Sequence, residues 1–317
     1  MYQPGFPTRS PRYWSAHLTV AIYLAGILLF SPLSPLRAQA KKQPANPPEQ
    51  AFEEVSLNAK DGVIVHATYY PGPEKKTTVP LILIHDWSSN RTELHSLAVY
   101  LQKELGHTVI VPDLRGHGTS IRQMGTDRPI DPDRMNAPEL KTMFRDIEAT
   151  KTYLLQRHNE GKLNIEQLGV LGVGFGATLA IDWAVRDWNA RSTPTFKNGQ
   201  DVKALILVSP RQSFKGLNVS PLLKHGSLSQ IAVLTIVGKQ DTDHYADAKK
   251  IFKAFETAHR GGSQDAARMY EADSALQGVD LIYDRELKVP DWITGCIKTC
   301  LVDRGADLPW MDRTSPK

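Results

Sequence analysis

The sequence predicts an α/β protein: a mostly parallel, eight-stranded, doubly wound sheet that opens on an antiparallel hairpin and carries a short lid. Three patterns predict it. Five short, continuous apolar runs recur at 81–84 (LILI), 108–111 (TVIV), 168–173, 204–208 (ALILV) and 232–237 (AVLTIV). Strands buried on both faces, as in a parallel sheet, read this way. Amphipathic segments of helical period separate most of them, at 91–105, 137–157, 177–187 and 247–259. Strand–helix alternation with right-handed crossovers winds helices onto both faces of a sheet. The pattern at 52–57 and 63–70 is different: apolar and polar residues alternate around Lys60-Asp61-Gly62, which reads as a hairpin at a sheet edge. An eighth strand at 267–271 and a helix at 291–301 close the domain. Segment 209–229 has the only room for a lid. The insertion 121–138, with Pro129, Pro132 and Pro138, is placed to overhang the C-terminal edge of the sheet, where ligands sit in open α/β folds.

Composition agrees with one large domain: 317 residues, 41% hydrophobic and 23% charged. The first forty residues have another character. Arg9 and Arg12 precede an uncharged apolar run at 18–30, and Ala38-Gln39-Ala40 forms an A-x-A cleavage signal. The run has 13 residues, where a membrane span needs about 20. The expectation is a signal peptide at 1–40, cut after Ala40, and export to the periplasm, cell envelope or medium. The competing expectation is an uncleaved anchor, the one case that implies a membrane partner. A proline-rich linker (41–51), the domain (52–301) and a tail (302–317) follow. Losing 1–40 removes Arg9, Arg12 and Arg37 and no acid, so the net charge falls from +4 to +1. The basic balance is therefore no argument for a nucleic-acid partner.

Cys296 and Cys300, in TGCIKTC, are the only cysteines. They read either as two thiols on one face of the closing helix or, in an oxidising compartment, as a local disulfide, against which the tiny loop would work. Two cysteines without clustered histidines make no zinc site. Neither a metal nor a cofactor is expected.

The stretch 168–184, LGVLGVGFGATLAIDWA, reads as a buried strand, a sharp glycine turn and a helix. That is the setting of the G-x-S-x-G elbow, which presents a nucleophilic serine at the top of an α/β sheet. Here the five residues are Gly172-Val173-Gly174-Phe175-Gly176, with glycine in the serine position. The elbow strains its central residue by about 1–3 kcal/mol when that residue is not glycine. Glycine accepts such dihedrals at little steric cost.

Three further signals stand at strand ends. His85-Asp86-Trp87 follows the 81–84 run, Asp113-Leu114-Arg115-Gly116-His117-Gly118-Thr119-Ser120 follows 108–111, and Gly238-Lys239-Gln240-Asp241 follows 232–237. With the elbow they stand in the order of the α/β-hydrolase superfamily. From about Phe52 to Leu301 the chain resembles that superfamily, in particular its bacterial serine-aminopeptidase-like and lipase/esterase-like members. The resemblance implies a triad in chain order Ser, Asp/Glu, His, in which the serine attacks, the histidine takes its proton and the acid orients the imidazole. Carried over, the nucleophile position is Gly174 and the acid is Asp241. The histidine position, within 274–281, is Gln277, which hydrogen-bonds but accepts no proton near pH 7. The triad is thus degenerate at two of its three positions, and no catalytic residue set is intact.

The resemblance also places the two oxyanion donors at the backbone N–H groups of Phe175 and Trp87. His85 and Asp86 line the cleft, Asp86 standing where the family usually has glycine. A carboxylate facing the hole disfavours a developing oxyanion; one turned away does not. Thr178 and Ser209 are the nearby hydroxyls, and His85, His117 and His244 lie at strand ends, but none falls in the loop that supplies the base. Asp241 itself either orients a base or hydrogen-bonds loop amides. The resulting expectation is an exported, non-catalytic pseudoenzyme that binds an unidentified small molecule or protein in its cleft, as neuroligin-like members with glycine at the serine position reuse the fold. The alternatives are an active esterase or peptidase with displaced catalytic residues, a non-hydrolytic lyase, and a membrane-tethered envelope interaction protein.

Overall fold

The computed structural model describes residues 52–193, 197–261 and 266–314. The expected signal peptide and linker lie outside them. Eight main strands form one sheet: β1 (Glu53–Asn58), β2 (Val63–Tyr70), β3 (Pro80–Ile84), β4 (Thr108–Pro112), β5 (Leu168–Val173), β6 (Val202–Val208), β7 (Ala232–Gly238) and β8 (Ala267–Ala272). Their spatial order is β1-β2-β4-β3-β5-β6-β7-β8. The pairs β1–β2 and β2–β4 are antiparallel and the rest are parallel. A two-residue strand, Arg122–Gln123 in the insertion, adds to β2.

The central strands are apolar throughout because both of their faces are covered. In β3, Ile82 and Ile84 point into one core layer and Leu81 and Leu83 into the other, as the two-residue period of a strand requires. The first layer is roofed by α3 (Phe144–Asn159), α4 (Phe175–Asn189) and α5 (Tyr245–Ala258), through Ile147, Ile181, Trp183 and Phe255. The second is roofed by α1 (His95–Lys103), α6 (Gly278–Tyr283) and α7 (Val289–Ile297), through Leu97, Leu281 and Ile293.

Two expected helices depart from their sequence pattern. The segment at 91–105 begins as a 3-10 turn, Arg91–Leu94, because the Asn90 side chain accepts from the Thr92 N–H and fixes a tight start. The segment at 137–157 is broken into α2 (Ala137–Leu140) and α3. The break places Thr142 so that its hydroxyl accepts from Arg115 (2.9 Å) and donates to the Glu139 carbonyl (2.7 Å).

Arg115, from the motif after β4, is the hub of a buried ion network. Its guanidinium meets Asp146 of α3 at 2.7 Å and Asp61 of the first hairpin turn at 2.6 Å. Burial raises the Asp146 carboxyl above its ordinary range, against the lowering effect of the Arg115 charge. The motif therefore holds hairpin, sheet and helix together. A second network joins Lys151 to Asp187 (2.6 Å) and Asp201 (2.8 Å). The segment 302–317, expected as a tail, is anchored in its described part: Arg313 is buried and pairs with Asp201 (2.8 Å) and Glu166 (2.6 Å). Those carboxylates belong to the domain, so the docked arginine neutralises charge that the fold buries.

Arg115→Ala leaves Asp146 buried without its counter-ion. Urea denaturation is expected to show a loss of about 3–5 kcal/mol, the usual effect of breaking a buried pair by removing one partner. An unchanged midpoint would contradict the hub role.

Candidate functional site

The elbow is built by the sequence's own steric demands. β5 ends at Val173, α4 begins at Phe175, and Gly174 between them has φ 53° and ψ −115°. Gly176 packs directly against the carbonyls of Ile84 and His85, where a Cβ would collide with backbone. That close approach brings the loop after β3 onto the start of α4.

Asp86 lies on this loop, and its side chain turns inward. A single carboxylate oxygen, Oδ1, accepts from the Phe175 N–H at 2.7 Å and from the Trp87 N–H at 2.7 Å. These are the two main-chain donors that the sequence places at the oxyanion hole. The carboxylate also fills the space above Gly174: a Cβ built there would fall inside its atoms. The two N–H groups expected as oxyanion donors therefore hold the protein's own carboxylate, which also occupies the space above Gly174.

His85, expected to line the cleft, instead lies beneath it and fixes the loop, because both ring nitrogens are drawn to main-chain groups. It is fully buried, donates from Nδ1 to the Asp86 carbonyl (2.6 Å) and accepts at Nε2 from the Leu114 N–H (3.0 Å). The partners set this tautomer. Burial holds its pKa down to about 4, so the ring is neutral.

The acid and base positions also meet. Asp241, after β7, accepts from the Gln277 side-chain amide at 3.0 Å. It accepts as well from the Asp243 N–H and the His244 N–H, both at 3.1 Å. A further partner is the His244 ring, whose Nδ1 lies 2.9 Å from Oδ2. His244 thus stands on the acid as a base would, although it comes from the acid's own loop. Its other nitrogen is taken: Arg211 donates from Nε to His244 Nε2 at 2.8 Å. The remaining hydroxyls are engaged elsewhere. Thr178 donates to the Arg211 carbonyl at 2.8 Å, and Ser209 accepts from the Gly278 N–H at 2.9 Å. His117 donates from Nδ1 to the Arg115 carbonyl (3.1 Å), and burial lowers its pKa.

Above the elbow stands an aromatic cluster. Trp87 packs edge-on against Phe175 (ring centroids 5.1 Å) and His117 (4.7 Å), and Phe214 lies 5.3 Å from both Trp87 and Phe175. Phe214 comes from the lid segment, on a small hairpin of Ser213–Phe214 and Leu217–Asn218. At the hairpin's turn Lys215 reaches over the Trp87 ring (4.6 Å) and towards Asp133 of the insertion (3.3 Å). Lid and insertion thus meet over the site.

Sequence reasoning did not find the His244–Asp241 pair, the Arg211 cap or the Phe214 roof. The first has a signal in the i, i+3 spacing of D-T-D-H. The other two depend on how the lid folds back. Among the described residues no three His, Cys, Asp or Glu side chains gather as a metal site requires.

A family model described as the α/β hydrolase fold matches residues 79–262. No curated protein sequence matches the chain. Among solved structures, the Pyrococcus furiosus esterase Pf2001 is 14% identical with a TM-score of 0.56, over 79% of this chain and 93% of that one. A putative dipeptidyl aminopeptidase IV from Bacteroides ovatus is 14% identical with a TM-score of 0.56, over 79% of this chain and 36% of its own. The α/β hydrolase GrgF from a Penicillium species is 12% identical with a TM-score of 0.53, over 79% and 99%. At these identities the likeness is one of fold.

Two predictions follow from this geometry. Gly174→Ser forces a Cβ into the Asp86 carboxylate, and with the elbow's strain it is expected to cost about 2–4 kcal/mol. In the Asp86→Gly background that cost is expected to fall by more than about 1 kcal/mol, as for residues in contact. Additive effects in chemical denaturation would show that the two positions do not compete for one space. Stability is also expected to fall as pH drops from about 6.5 to about 4. In that window unfolded histidine binds a proton that buried His85 excludes, a linkage of about 3 kcal/mol when complete. His85→Asn is expected to reduce the slope of the thermal-melting profile over that range without abolishing it, because burial lowers His107, His117 and His158 in the same direction.

Proposed function

We propose that this chain, which belongs to the α/β-hydrolase fold family, is a non-catalytic member, exported from the cytoplasm and acting by binding. The observation that carries this reading is Asp86 Oδ1 accepting both oxyanion-hole donors. A tetrahedral acyl-transfer intermediate needs those N–H groups for its own negative oxygen. A resident carboxylate competes for them and repels the charge that develops. The loss of hydroxyl at Gly174 and of base at Gln277 agrees with it, since the members of a triad act as a unit and a second loss costs little further activity.

A second reading, catalysis with displaced residues, has one observation in its favour: the Asp241–His244 pair. It is disfavoured because the nitrogen that would take a proton already accepts from Arg211. Nucleophile and base must also lie within hydrogen-bond reach, and the hydroxyls of Thr178 and Ser209 are bound to main-chain groups. A small molecule or protein segment entering above the elbow would have to displace Phe214. The binding reading therefore places the partner's entry at the lid hairpin. Export rests on the three-part leader at 1–40, and a tethered form follows if that leader is not cut.

Short p-nitrophenyl esters test the reading. The native chain is expected to match a buffer blank. Gly174→Ser/Gln277→His is expected to stay silent while Asp86 fills the hole, and adding Asp86→Gly to that pair is expected to give measurable turnover. Turnover by the native chain well above the blank, lost in His244→Ala, would instead establish the displaced-residue reading.

A further inference from the structure

The two cysteines lie far from the elbow, at the opposite end of the parallel strands. α7 runs on into a π-helical turn, Lys298–Val302, closed by the Asp303 N–H donating to the Lys298 carbonyl at 2.8 Å. Such widened turns often mark functional positions. Here the turn carries Cys300. Both cysteines are free and buried, and their sulfurs are 3.8 Å apart, Cys296 donating its thiol hydrogen towards Cys300. The Thr299 hydroxyl lies 3.7 Å from the Cys300 sulfur.

Cys300 forms part of the wall of a cavity of about 470 Å³ at the start of β7 and β8, with Arg260, Arg268, Arg304 and His259 around it; no carboxylate is among the described lining residues. Arg304 also approaches Asp307, at 3.9 Å and largely exposed, a pairing that screens it weakly. The Arg260 and Arg304 guanidinium groups on this wall suit carboxylates, which guanidinium binds through paired N–H donors.

We propose that Cys300 and Cys296 form a reactive dithiol, and that the arginine-lined cavity brings it small disulfides bearing carboxylates. The two sulfurs have different parts. Cys300 is the sulfur that lines the cavity, and the Cys296 hydrogen bond, with Thr299 and the arginines, lowers its thiol pKa to about 6 against the raising effect of burial. The same hydrogen bond, with burial, raises Cys296 well above its ordinary value. The thiolate is the attacking species in exchange. Cys300 Sγ attacks one sulfur of the incoming disulfide. A Cys300–S bond forms, the disulfide bond breaks, and one thiolate leaves and takes a proton from water. Cys296 Sγ then attacks Cys300 Sγ: the Cys296–Cys300 bond forms, the mixed disulfide bond to the small thiol breaks, and the expelled thiolate takes up the Cys296 proton. Two protein thiols are oxidised, and one small disulfide is reduced to two thiols. The sulfurs close from 3.8 Å to the roughly 2.05 Å of a disulfide. This site is independent of whether the elbow is catalytic.

The test is to incubate the folded, reduced protein with glutathione disulfide at pH 7 and follow intact and peptide masses. The native chain is expected to lose two hydrogens. Cys296→Ser is expected to stop at a mixed disulfide on Cys300, and Cys300→Ser to react at least about tenfold more slowly, since the remaining thiol is protonated. The uncharged hydroxyethyl disulfide is expected to react with the native chain about tenfold more slowly than glutathione disulfide, a gap that narrows in Arg260→Gln/Arg304→Gln and at high salt. Reaction only in denaturant, equal rates for the two disulfides, or modification at Cys296 first would each overturn the proposal. If Cys296→Ser does not fold, Cys296→Ala replaces it. The comparison of the two disulfides on the native chain decides without any variant.

Discussion

Two main-chain N–H groups, those of Phe175 and Trp87, point at one place, and the Asp86 carboxylate fills it. In an acyl-transfer enzyme such donors are held ready for the oxygen of a substrate. The two donors need an acceptor in any case, because partly buried donors left without one are costly. Asp86 supplies the acceptor, with charge-assisted bonds shorter than neutral ones. Much of the site follows from this. Gly174 stays glycine because any side chain there meets the carboxylate. His85 stays buried and neutral because its two hydrogen bonds position the Asp86 main chain. Trp87, displaying its ring above the hole, gives Phe214 of the lid a surface to cover.

The retained acid has an equally physical explanation. Asp241 accepts from two loop amides, from Gln277 and from the His244 ring. Its removal would orphan several donors at once. The Gln277 side-chain amide reaches that carboxylate at 3.0 Å. Arg211 completes the arrangement by occupying the one imidazole nitrogen that could have taken a proton. Asp241, Gln277, His244 and Arg211 thus form one hydrogen-bonded network.

The sheet was legible because burial on both faces leaves an unmistakable pattern. β5 spans the very residues of its apolar run, and the other parallel strands extend theirs by a residue or two. Helix interruptions were not legible. Thr142 looks like any mid-helix polar residue until Arg115, 27 positions away, reaches for its hydroxyl. At the site, motif register alone singled out Gly174 and Gln277. The direction of the Asp86 side chain was not legible, since either orientation suits an aspartate in a loop. Arg313 was hidden for a related reason: the polar composition around it resembles a tail, and only the carboxylates of Glu166 and Asp201 explain why it is buried.

The filled hole can be observed directly. With selective ¹⁵N labelling of phenylalanine and tryptophan, the amide protons of Phe175 and Trp87 are expected to resonate well downfield at pH 7, as short bonds to a carboxylate demand, and to move upfield together in Asp86→Ala. Resonances at ordinary positions that ignore Asp86→Ala would mean that the carboxylate lies elsewhere and the hole stands open, contrary to this account.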